Sequence, residues 1–370
     1  MSVFISIIVF LVVLGVLVVV HEFGHYIVAK KSGIRVDEFG FGFPPRIKTL
    51  FVYKGTRFTW NLIPFGGFVK IFGENSIQKS DPNFKQSFVA KRKLTQIAVL
   101  FAGPLFNFLF AWILLSSLFV FGSPAMLTSE NKDVLANPQV SVIEIIPNSP
   151  ASQSGFLIGD VIRSVVFDGV EFSVSEPDSL SQIFMDTGTQ EVVVVVERGK
   201  GGVLEKNVVP EYGLFDGQSS PALGFSVAQV GTLQLPIHKA LMQGGLRTWE
   251  ITKSTFIFIY SLIENIFTSE KENLGSVTGP IGIVPIVGDA LKIGFSFIVV
   301  LTALISVNLA VINLLPFPAL DGGRILFVII EKIIGQPIGV KTTQIVNGVG
   351  FLILLILMFV ITIRDIVNLL

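Results

Sequence analysis

Residues 3–29 read VFISIIVFLVVLGVLVVVHEFGHYIVA, an apolar run that carries His21, Glu22 and His25 near its end. The hydrocarbon core of a bilayer is about 30 Å thick and needs ~20 apolar residues in a helix, so this run predicts a membrane-spanning helix. At ~1.5 Å per residue, His21 lies ~27 Å along that helix from Val3, near the far edge of the core. Polar side chains are costly at that depth, and they normally face a protein interior and mark function.

The spacing of these polar residues indicates the kind of function. His21 and His25 are four residues apart and project from one face of a helix, so two imidazoles can bind one metal ion while Glu22 faces an adjacent water as a general base. A chance match to this HExxH pattern is the alternative, because a short motif needs context. Only three His occur in 370 residues, and two of them form the pattern. A metal site is therefore favoured, although the motif does not identify a third ligand.

The composition is that of an integral membrane protein. Hydrophobic residues make up 51% of the chain and charged residues 15%, whereas soluble proteins have about 25% charged residues. The sequence has no Cys, so no disulfide framework exists and a zinc site must be built from His and carboxylate. No Lys or Arg precedes Lys30, so the first helix is expected to be retained rather than cleaved as a signal peptide.

The distribution of charge predicts the orientation in the membrane. Lys and Arg outnumber Asp and Glu in residues 34–93, and the reverse holds for residues 122–293. Positively charged segments near membrane spans normally lie on the cytoplasmic side. The N-terminus is therefore expected outside and residues 34–93 inside.

A β-hairpin is predicted within residues 46–65. Around a turn at Lys54 and Gly55, apolar residues alternate with polar ones, namely Phe58, Trp60 and Leu62 with Arg57, Thr59 and Asn61. One interpretation is a solvated cytoplasmic hairpin. The flanks FGFGFPP and IPFGGFVKIFG are apolar and rich in glycine, which equally indicates strands that dip into the membrane beside the metal, where an edge can pair with an extended peptide.

A second span, residues 95–122, contains the sequence AGPLFNF. Within a membrane helix, Gly103, Pro104 and Asn107 can mark a kink, close helix packing, or a polar group directed at the site. Packing is the preferred interpretation, and site support is kept as the alternative.

Residues 139–213 change character and read as short β-rich runs separated by Pro, Gly and Asp clusters. The order of strand, short helix, Gly-Asp, strand and Asp-Gly turn resembles a PDZ domain. Such a domain can be a spacer, or it can recognise a peptide or substrate tail by strand addition. An amphipathic helix is predicted after it, from 236 to 267, on the outer membrane surface. His238 at its start is expected to be an ordinary surface residue.

A third span, residues 294–315, ends in NLLPFPALDGGR, which contains Asp321. Asp is a good helix N-cap before GGRILFVIIEKIIG. As a ligand, it would complete a His, His and carboxylate set with an open fourth position. Pro316 and Pro318 would keep the preceding backbone unwound, which is tolerated at membrane depth only where it is buried or lines a cavity. The ligand interpretation is favoured over the cap.

The predicted fold is a polytopic α-helical membrane protein with about four transmembrane helices, a membrane-associated β-hairpin region and an inserted extracytoplasmic PDZ-like α+β domain. Its segments are the first span with HExxH at 1–33, a cytoplasmic-side β region at 34–93, the second span at 94–122, an extracytoplasmic region at 123–235 with the PDZ-like core at 139–213, an amphipathic helix and connector at 236–293, the third span with the LDG motif at 294–321, a cytoplasmic-side helix at 322–344 and a fourth span at 345–370.

The motifs HEFGH, PFGGFVK, AGPLFNF, GPIGI and NLLPFPALDGG, in this order and with the PDZ-like insert, resemble the site-2 protease family of intramembrane zinc metalloproteases, specifically the bacterial regulator-of-sigma-E protease type. The resemblance implies one Zn²⁺ held by His21, His25 and Asp321, with Glu22 as the base. It also implies that Asn313, with Pro316 and Pro318, positions substrate backbone. One PDZ-like domain is evident here, where some relatives have two in tandem.

The expected function is hydrolysis of peptide bonds within transmembrane segments of single-pass proteins that have already been trimmed outside, such as anti-sigma factors or signal-peptide remnants. Expected partners are these substrates, the lipid bilayer and a peptide tail at the PDZ-like domain, with no nucleic acid. The expected location is the bacterial inner membrane, with the termini and the PDZ-like domain outside. A peptide receptor with a structural metal site and a metal transporter are the alternatives; the intact Glu22 argues against the first, and the lack of repeated acidic or His residues along the other spans argues against the second.

Overall fold

The computed structural model describes residues 3–74, 78, 80–128, 131–132, 134–199, 202–214, 220–268 and 279–369. Part of the predicted connector, residues 269–278, lies outside the described residues. The chain forms two compact units. The β-rich unit contains residues 116–243 and 288–300, and the membrane unit contains residues 2–115, 244–287 and 301–370.

The helices are α1 Val3–Lys31, α2 Lys93–Phe121, α3 Pro150–Gln153, α4 Pro177–Thr187, α5 Ile237–Thr268, α6 Pro280–Ile293, α7 Phe295–Leu314, α8 Asp321–Ile334 and α9 Val340–Leu369. Within the described residues, α1, α2, α7 and α9 are long and apolar enough to cross a membrane. The prediction of a multi-pass membrane protein with about four spans is confirmed.

The first span ends as its sequence indicates. Lys30 and Lys31 occupy the last turn of α1, where positive charge complements the carbonyl end of a helix. Gly33 follows with a φ of 67°, a left-handed conformation that costs glycine little. The N–H of Ile34 then donates to the carbonyl of Ala29 at 2.9 Å, which closes the helix.

Strands β1 Val36–Tyr53 and β2 Thr56–Ile71 pair antiparallel across a turn at Lys54 and Gly55. The two turn residues have φ values of 46° and 78°, as a two-residue hairpin turn requires. The hairpin is longer than predicted, because both glycine-rich flanks are strands as well. Residues 38–41 pair with residues 57–60 on one side and with residues 67–70 on the other. Residues 67–71 therefore form an outer segment of this sheet.

One hydrophobic cluster joins the end of α1, the sheet, α2 and α8 within the membrane unit. Its buried members are Tyr26, Ala29, Ile34, Val36, Phe39, Phe58, Ile71, Phe88, Val99, Leu100 and Val328. Burial of large side chains on several elements fixes their relative positions, since well-packed cores tolerate little displacement. This cluster therefore holds together the segments that carry the predicted site.

The β-rich unit contains a seven-stranded sheet. Its strands are β3 Ser123–Met126, β4 Leu135–Ile145, β5 Val161–Phe167, β6 Val170–Ser173, β7 Val192–Arg198, β8 Gly202–Val208 and β9 Phe225–Leu233. The order is β3-β9-β4-β5-β7-β8, with β6 paired to β5. The sheet thus extends beyond the predicted core of residues 139–213 on both sides. Strand β9 pairs with β3 and β4, which are far from it in sequence, and no local pattern predicts such a pairing.

Two helix boundaries differ from the sequence-based expectations. Residues 280–293 were expected as connector but form α6. The carboxylate of Asp365 in α9 accepts from the N–H groups of Gly279 at 3.3 Å and Gly282 at 2.8 Å, so the first turn of α6 is capped from a distant helix. The segment predicted as one helix at 322–344 is divided, because Gly335 ends α8 with a φ of 75° and α9 begins at Val340.

Candidate metal centre

Three predicted ligands from the two ends of the chain meet in the membrane unit. His21 Nε2 lies 3.0 Å from Asp321 Oδ2, His25 Nε2 lies 3.3 Å from the same oxygen, and the two Nε2 atoms are 3.2 Å apart. Tetrahedral zinc with bonds of ~2.0–2.2 Å places its ligand atoms about 3.3–3.5 Å from one another. The separations therefore fit one zinc ion.

The hydrogen bond on the far side of His25 supports this fit. Its Nδ1 lies 2.8 Å from the carbonyl oxygen of Val99 in α2. A carbonyl only accepts, so Nδ1 carries the proton and Nε2 presents a lone pair. That lone pair faces the carboxylate of Asp321, which is also an acceptor. A cation between them removes the repulsion, and this arrangement suits a metal better than it suits a hydrogen bond.

Asn107 in α2 contacts the other imidazole. Its side chain is fully buried, its Nδ2 lies 3.4 Å from His21 Nδ1, and its Oδ1 has no hydrogen-bond partner among the described residues. When His21 Nε2 binds a metal, Nδ1 carries a proton and needs an acceptor. Rotating the Asn107 side-chain amide by 180° places Oδ1 next to His21 Nδ1 as that acceptor. The resulting hydrogen bond gives a partner both to the buried Oδ1 and to the imidazole.

Gly103 of α2 packs against the two imidazoles of the site. A Cβ added to it would lie 2.4 Å from His25 Nε2 and 2.7 Å from His21 Nε2, closer than real atoms approach. Any side chain at this position would displace the two imidazoles. Pro104 lies inside α2, and no contact of it with the site is evident in the described residues.

Asp321 is the first residue of α8 and not its N-cap. The N-cap is Leu320, which has no side-chain capping bond, and the side chain of Asp321 is 12% exposed and directed to the two His. The next two positions, 322 and 323, have room only for glycine. Added Cβ atoms there would lie 2.2 Å from the carbonyl oxygens of Leu315 and Phe317, respectively. The glycine pair therefore lets the chain turn tightly enough to present the carboxylate.

The residues between α7 and α8 are non-helical, as the two prolines predicted. Ala319 has a φ of 75°, and its N–H donates to Asn347 Oδ1 in α9 at 3.1 Å. Asn313 lies in the last turn of α7 and is partly buried. Asn313, Pro316 and Pro318 are absent from the described lining of the cavity at the metal centre, so their role in binding substrate stays a prediction.

A cavity of about 200 Å³ opens at this centre. Its lining residues are His21, Glu22, His25, Phe68, Val69, Ile71, Glu74, Leu100, Asp321 and Arg324. Glu22 shares the cavity with the three ligands and with Val69 of β2. A Cβ at Gly67 would be 3.6 Å from Glu22 Cγ. The outer segment of the sheet, residues 67–71, therefore borders the candidate base.

Sequence reasoning missed three contributors to this site. The Val99 carbonyl has no side-chain signal, and Glu74 follows the hairpin without a motif. Arg324, which pairs with Glu74, is the last residue of the quoted DGGR sequence and lies one turn after Asp321. Its position could have identified it as a neighbour of the carboxylate.

An HExxH helix, a distant carboxylate and four apolar spans define a membrane-bound metalloprotease. Residues 9–357 match the model of Peptidase family M50, and the chain belongs to this family. A protein of Clostridium perfringens named as a zinc metalloprotease is 35% identical over 361 residues, which cover 96% of this chain and 97% of that protein. Zinc metalloprotease RasP of Oceanobacillus iheyensis is 28% identical, with 98% of each chain covered. The expected class of enzyme and its zinc cofactor are confirmed.

Proposed function

We propose that this zinc metalloprotease cleaves peptide bonds within the membrane, in transmembrane segments of single-pass proteins that another protease has already trimmed. His21, His25 and Asp321 hold the zinc ion, and Glu22 is the general base. The observation that carries the proposal is the convergence of three ligand atoms beside Glu22, with separations of 3.0, 3.2 and 3.3 Å.

Bound zinc lowers the pKa of its water to about 7 and polarises the scissile carbonyl. Glu22 takes a proton from the water as its oxygen bonds to the carbonyl carbon. Glu22 then returns the proton to the amide nitrogen, the C–N bond breaks, and the carboxylic acid that forms gives its proton to the amine, so a carboxylate and an ammonium group are released. Val69 of the outer segment lines the same cavity, and a Cβ at Gly67 would lie 3.6 Å from Glu22 Cγ, so the outer segment of the sheet packs against the base.

The substrate must be extended at the bond that is cut. A transmembrane helix engages its carbonyls in internal hydrogen bonds, so the substrate has to unwind before a carbonyl can reach the site. Residues 67–71 are an outer strand segment bordered by Glu22, and an extended peptide can add to such a segment. Asn313, with Pro316 and Pro318, is proposed to hold the substrate from the opposite direction, on the strength of the family resemblance.

The membrane is the bacterial inner membrane, with residues 34–93 and 322–344 in the cytoplasm and the termini and the β-rich unit outside. The excess of Lys and Arg in residues 34–93 supports this orientation. Anti-sigma factors and signal-peptide remnants are the proposed substrates, and regulated intramembrane proteolysis is the proposed process. These assignments rest on the resemblance to the regulator-of-sigma-E type.

The β-rich unit is proposed to be a PDZ-like domain that controls which substrates reach the site. A cavity of about 290 Å³ lies between α4 and the start of β9, and Leu180, Phe184, Leu223 and Phe225 are among its lining residues. PDZ domains take an extended peptide at a sheet edge, with pockets for alternate side chains. A groove between a strand and a helix supports the same use here, either as a docking site for a substrate tail or as a filter against untrimmed ectodomains.

The proposal is tested with purified full-length protein in proteoliposomes and a model single-pass substrate. Cleavage within the substrate's transmembrane segment is expected, with loss of activity on zinc chelation and recovery when zinc is added back. A substrate that is cut only outside its transmembrane segment would contradict the proposed site of action. Cleavage that persists after complete removal of zinc would contradict the proposed chemistry.

A further inference from the structure

A second cavity of the membrane unit lies between α1 and the hairpin sheet, apart from the metal centre. Its volume is about 440 Å³, and its walls include Val12, Val16 and Val20 of α1 and Phe41 and Trp60 of the two strands. The lining is almost entirely apolar, and no role in the chemistry assigned to Glu22 involves it.

The cavity runs along α1 and reaches Val20, the residue before His21. Val20 is one residue before His21 and Val12 is nine residues before it. At ~1.5 Å per residue, the α1 wall of the cavity therefore lies ~1.5 to ~13.5 Å from His21 along the helix axis. Gly66 lines the cavity, and the adjacent Gly67 approaches both Val18 and Glu22. An extended peptide advances ~3.3 Å per residue. The cavity is thus within reach of side chains about one to four residues from the peptide bond that is cut beside Glu22.

One polar group in the wall indicates the chemistry of the occupant. Asn61 is 1% exposed and lines the cavity. Its Nδ2 donates to the carbonyl of Gly42 at 3.0 Å, but its Oδ1 has no hydrogen-bond partner among the described residues. A buried acceptor without a donor is costly. An extended peptide offers backbone N–H groups and an apolar side chain together, whereas the acyl chain of a lipid offers no donor.

The geometry points to a specificity pocket: we propose that this cavity takes a large apolar side chain of the unwound substrate, one to four residues from the scissile bond, while Asn61 accepts from the substrate backbone. The inference rests on the proposed function, because it assigns a subsite to the same protease. It adds a preference for a bulky apolar residue at one fixed distance from the cleaved bond.

Gly15 gives a direct test, because it lines the cavity and a Cβ there would meet nothing within 4 Å. Gly15→Leu should fill the pocket without disturbing α1, since Leu is a better helix former than Gly. Paired substrates carry Ala or Phe at each of four positions on either side of the cleaved bond. For one position, wild type should prefer Phe, and Gly15→Leu should lower the Phe-to-Ala ratio of kcat/KM by about tenfold or more.

The matched control is Gly348→Leu in α9, where an added Cβ also meets nothing within 4 Å and the residue is exposed. This variant should keep the wild-type ratio. An unchanged ratio in Gly15→Leu would overturn the pocket. Equal losses for the Phe and Ala substrates would also overturn it, and would indicate a lipid chain or a purely structural cavity.

A binding measurement separates failure of the pocket from failure of the proposed protease. The Glu22→Gln variant is incubated with a transmembrane peptide that carries a photoreactive apolar side chain at the preferred position. Cross-links to residues 12–20 of α1 are expected, and Gly15→Leu should reduce them severalfold. If cross-links form only elsewhere, the pocket is rejected even when the wild-type protein cleaves the substrate. If the expected cross-links form but the wild-type protein does not cleave, only the catalytic assignment is rejected.

Discussion

Two buried aspartates, one in each unit, differ in how their charge is satisfied. In the β-rich unit, both oxygens of Asp160 accept from Arg198 at 2.6 Å, and Oδ2 also accepts from the N–H of Leu157 at 2.9 Å. This hydrogen bonding, with the nearby charge, raises the pKa of Arg198. In the membrane unit, Asp321 faces two imidazole nitrogens. Asp160 is neutralised by a cationic side chain of the chain itself, and this pair stabilises the fold. Asp321 and the two imidazoles are all acceptors, so their charge is balanced by a cation from outside the chain.

The largest expected effect separates these two roles. Asp321→Asn should weaken zinc binding about 100-fold or more, because a neutral amide replaces an anionic ligand, with little change in the stability of the β-rich unit. Asp160→Asn is the matched control and should leave zinc content unchanged. It should destabilise its unit by about 3 kcal/mol, since Arg198 then keeps its charge without its partner. Zinc titration and thermal unfolding of both variants measure the difference, and equal zinc retention by the two would make Asp321 a structural residue.

A smaller loss is expected when the support of an imidazole is removed. Asn107→Ala should lower zinc affinity about 10- to 100-fold, because His21 Nδ1 loses the group that fixes its orientation. Asn308→Ala is a suitable control, since Asn308 bonds Thr255 at 2.9 Å and is also a membrane-unit amide. The electronic spectrum of the cobalt-substituted protein reports the ligand geometry and should change only for Asn107→Ala. Identical spectra and affinities for the two variants would return Asn107 to a packing role.

Removal of the β-rich sheet should alter selectivity rather than chemistry. We hypothesise that replacing residues 123–233 by a flexible linker leaves zinc bound and raises cleavage of an untrimmed substrate severalfold relative to the trimmed one. A domain that excludes folded ectodomains would have this effect. The two substrates are compared on the full-length and shortened proteins in the same vesicles. A uniform loss of rate with unchanged discrimination would instead identify the unit as a docking site.

The orientation of the two units across the membrane can be checked with single cysteines. The chain has no native Cys, and Lys54 at the hairpin turn is exposed. Lys54→Cys should resist an impermeant thiol reagent added to intact cells and react after the membrane is opened. Glu171→Cys, on exposed strand β6 of the β-rich unit, should react from outside. The opposite labelling pattern would reverse the proposed topology.

What the sequence could predict depended on whether the determining contact was local. The His21 and His25 pair is set by one helical turn, and the hairpin by two turn residues, so both could be recognised directly. Asp321 was ambiguous because helix caps and metal ligands use the same residue type, and only its meeting with α1 separates them. The role of Asn107 depends on which face of α2 meets α1, and packing was therefore preferred. Helix α6 is capped by Asp365, 86 positions from Gly279, a distance at which no sequence pattern operates.

Glu22 is proposed to perform the chemistry at a zinc ion that other residues hold. Zinc stoichiometry and cleavage of a transmembrane substrate, measured on the same preparation of Glu22→Gln, separate the base from the zinc ligands. We expect one zinc ion per chain, as in wild type, and a loss of cleavage of at least about 100-fold, because general acid–base catalysis contributes on that scale. Cleavage at the wild-type rate by this variant, with zinc bound, would contradict the role proposed for Glu22.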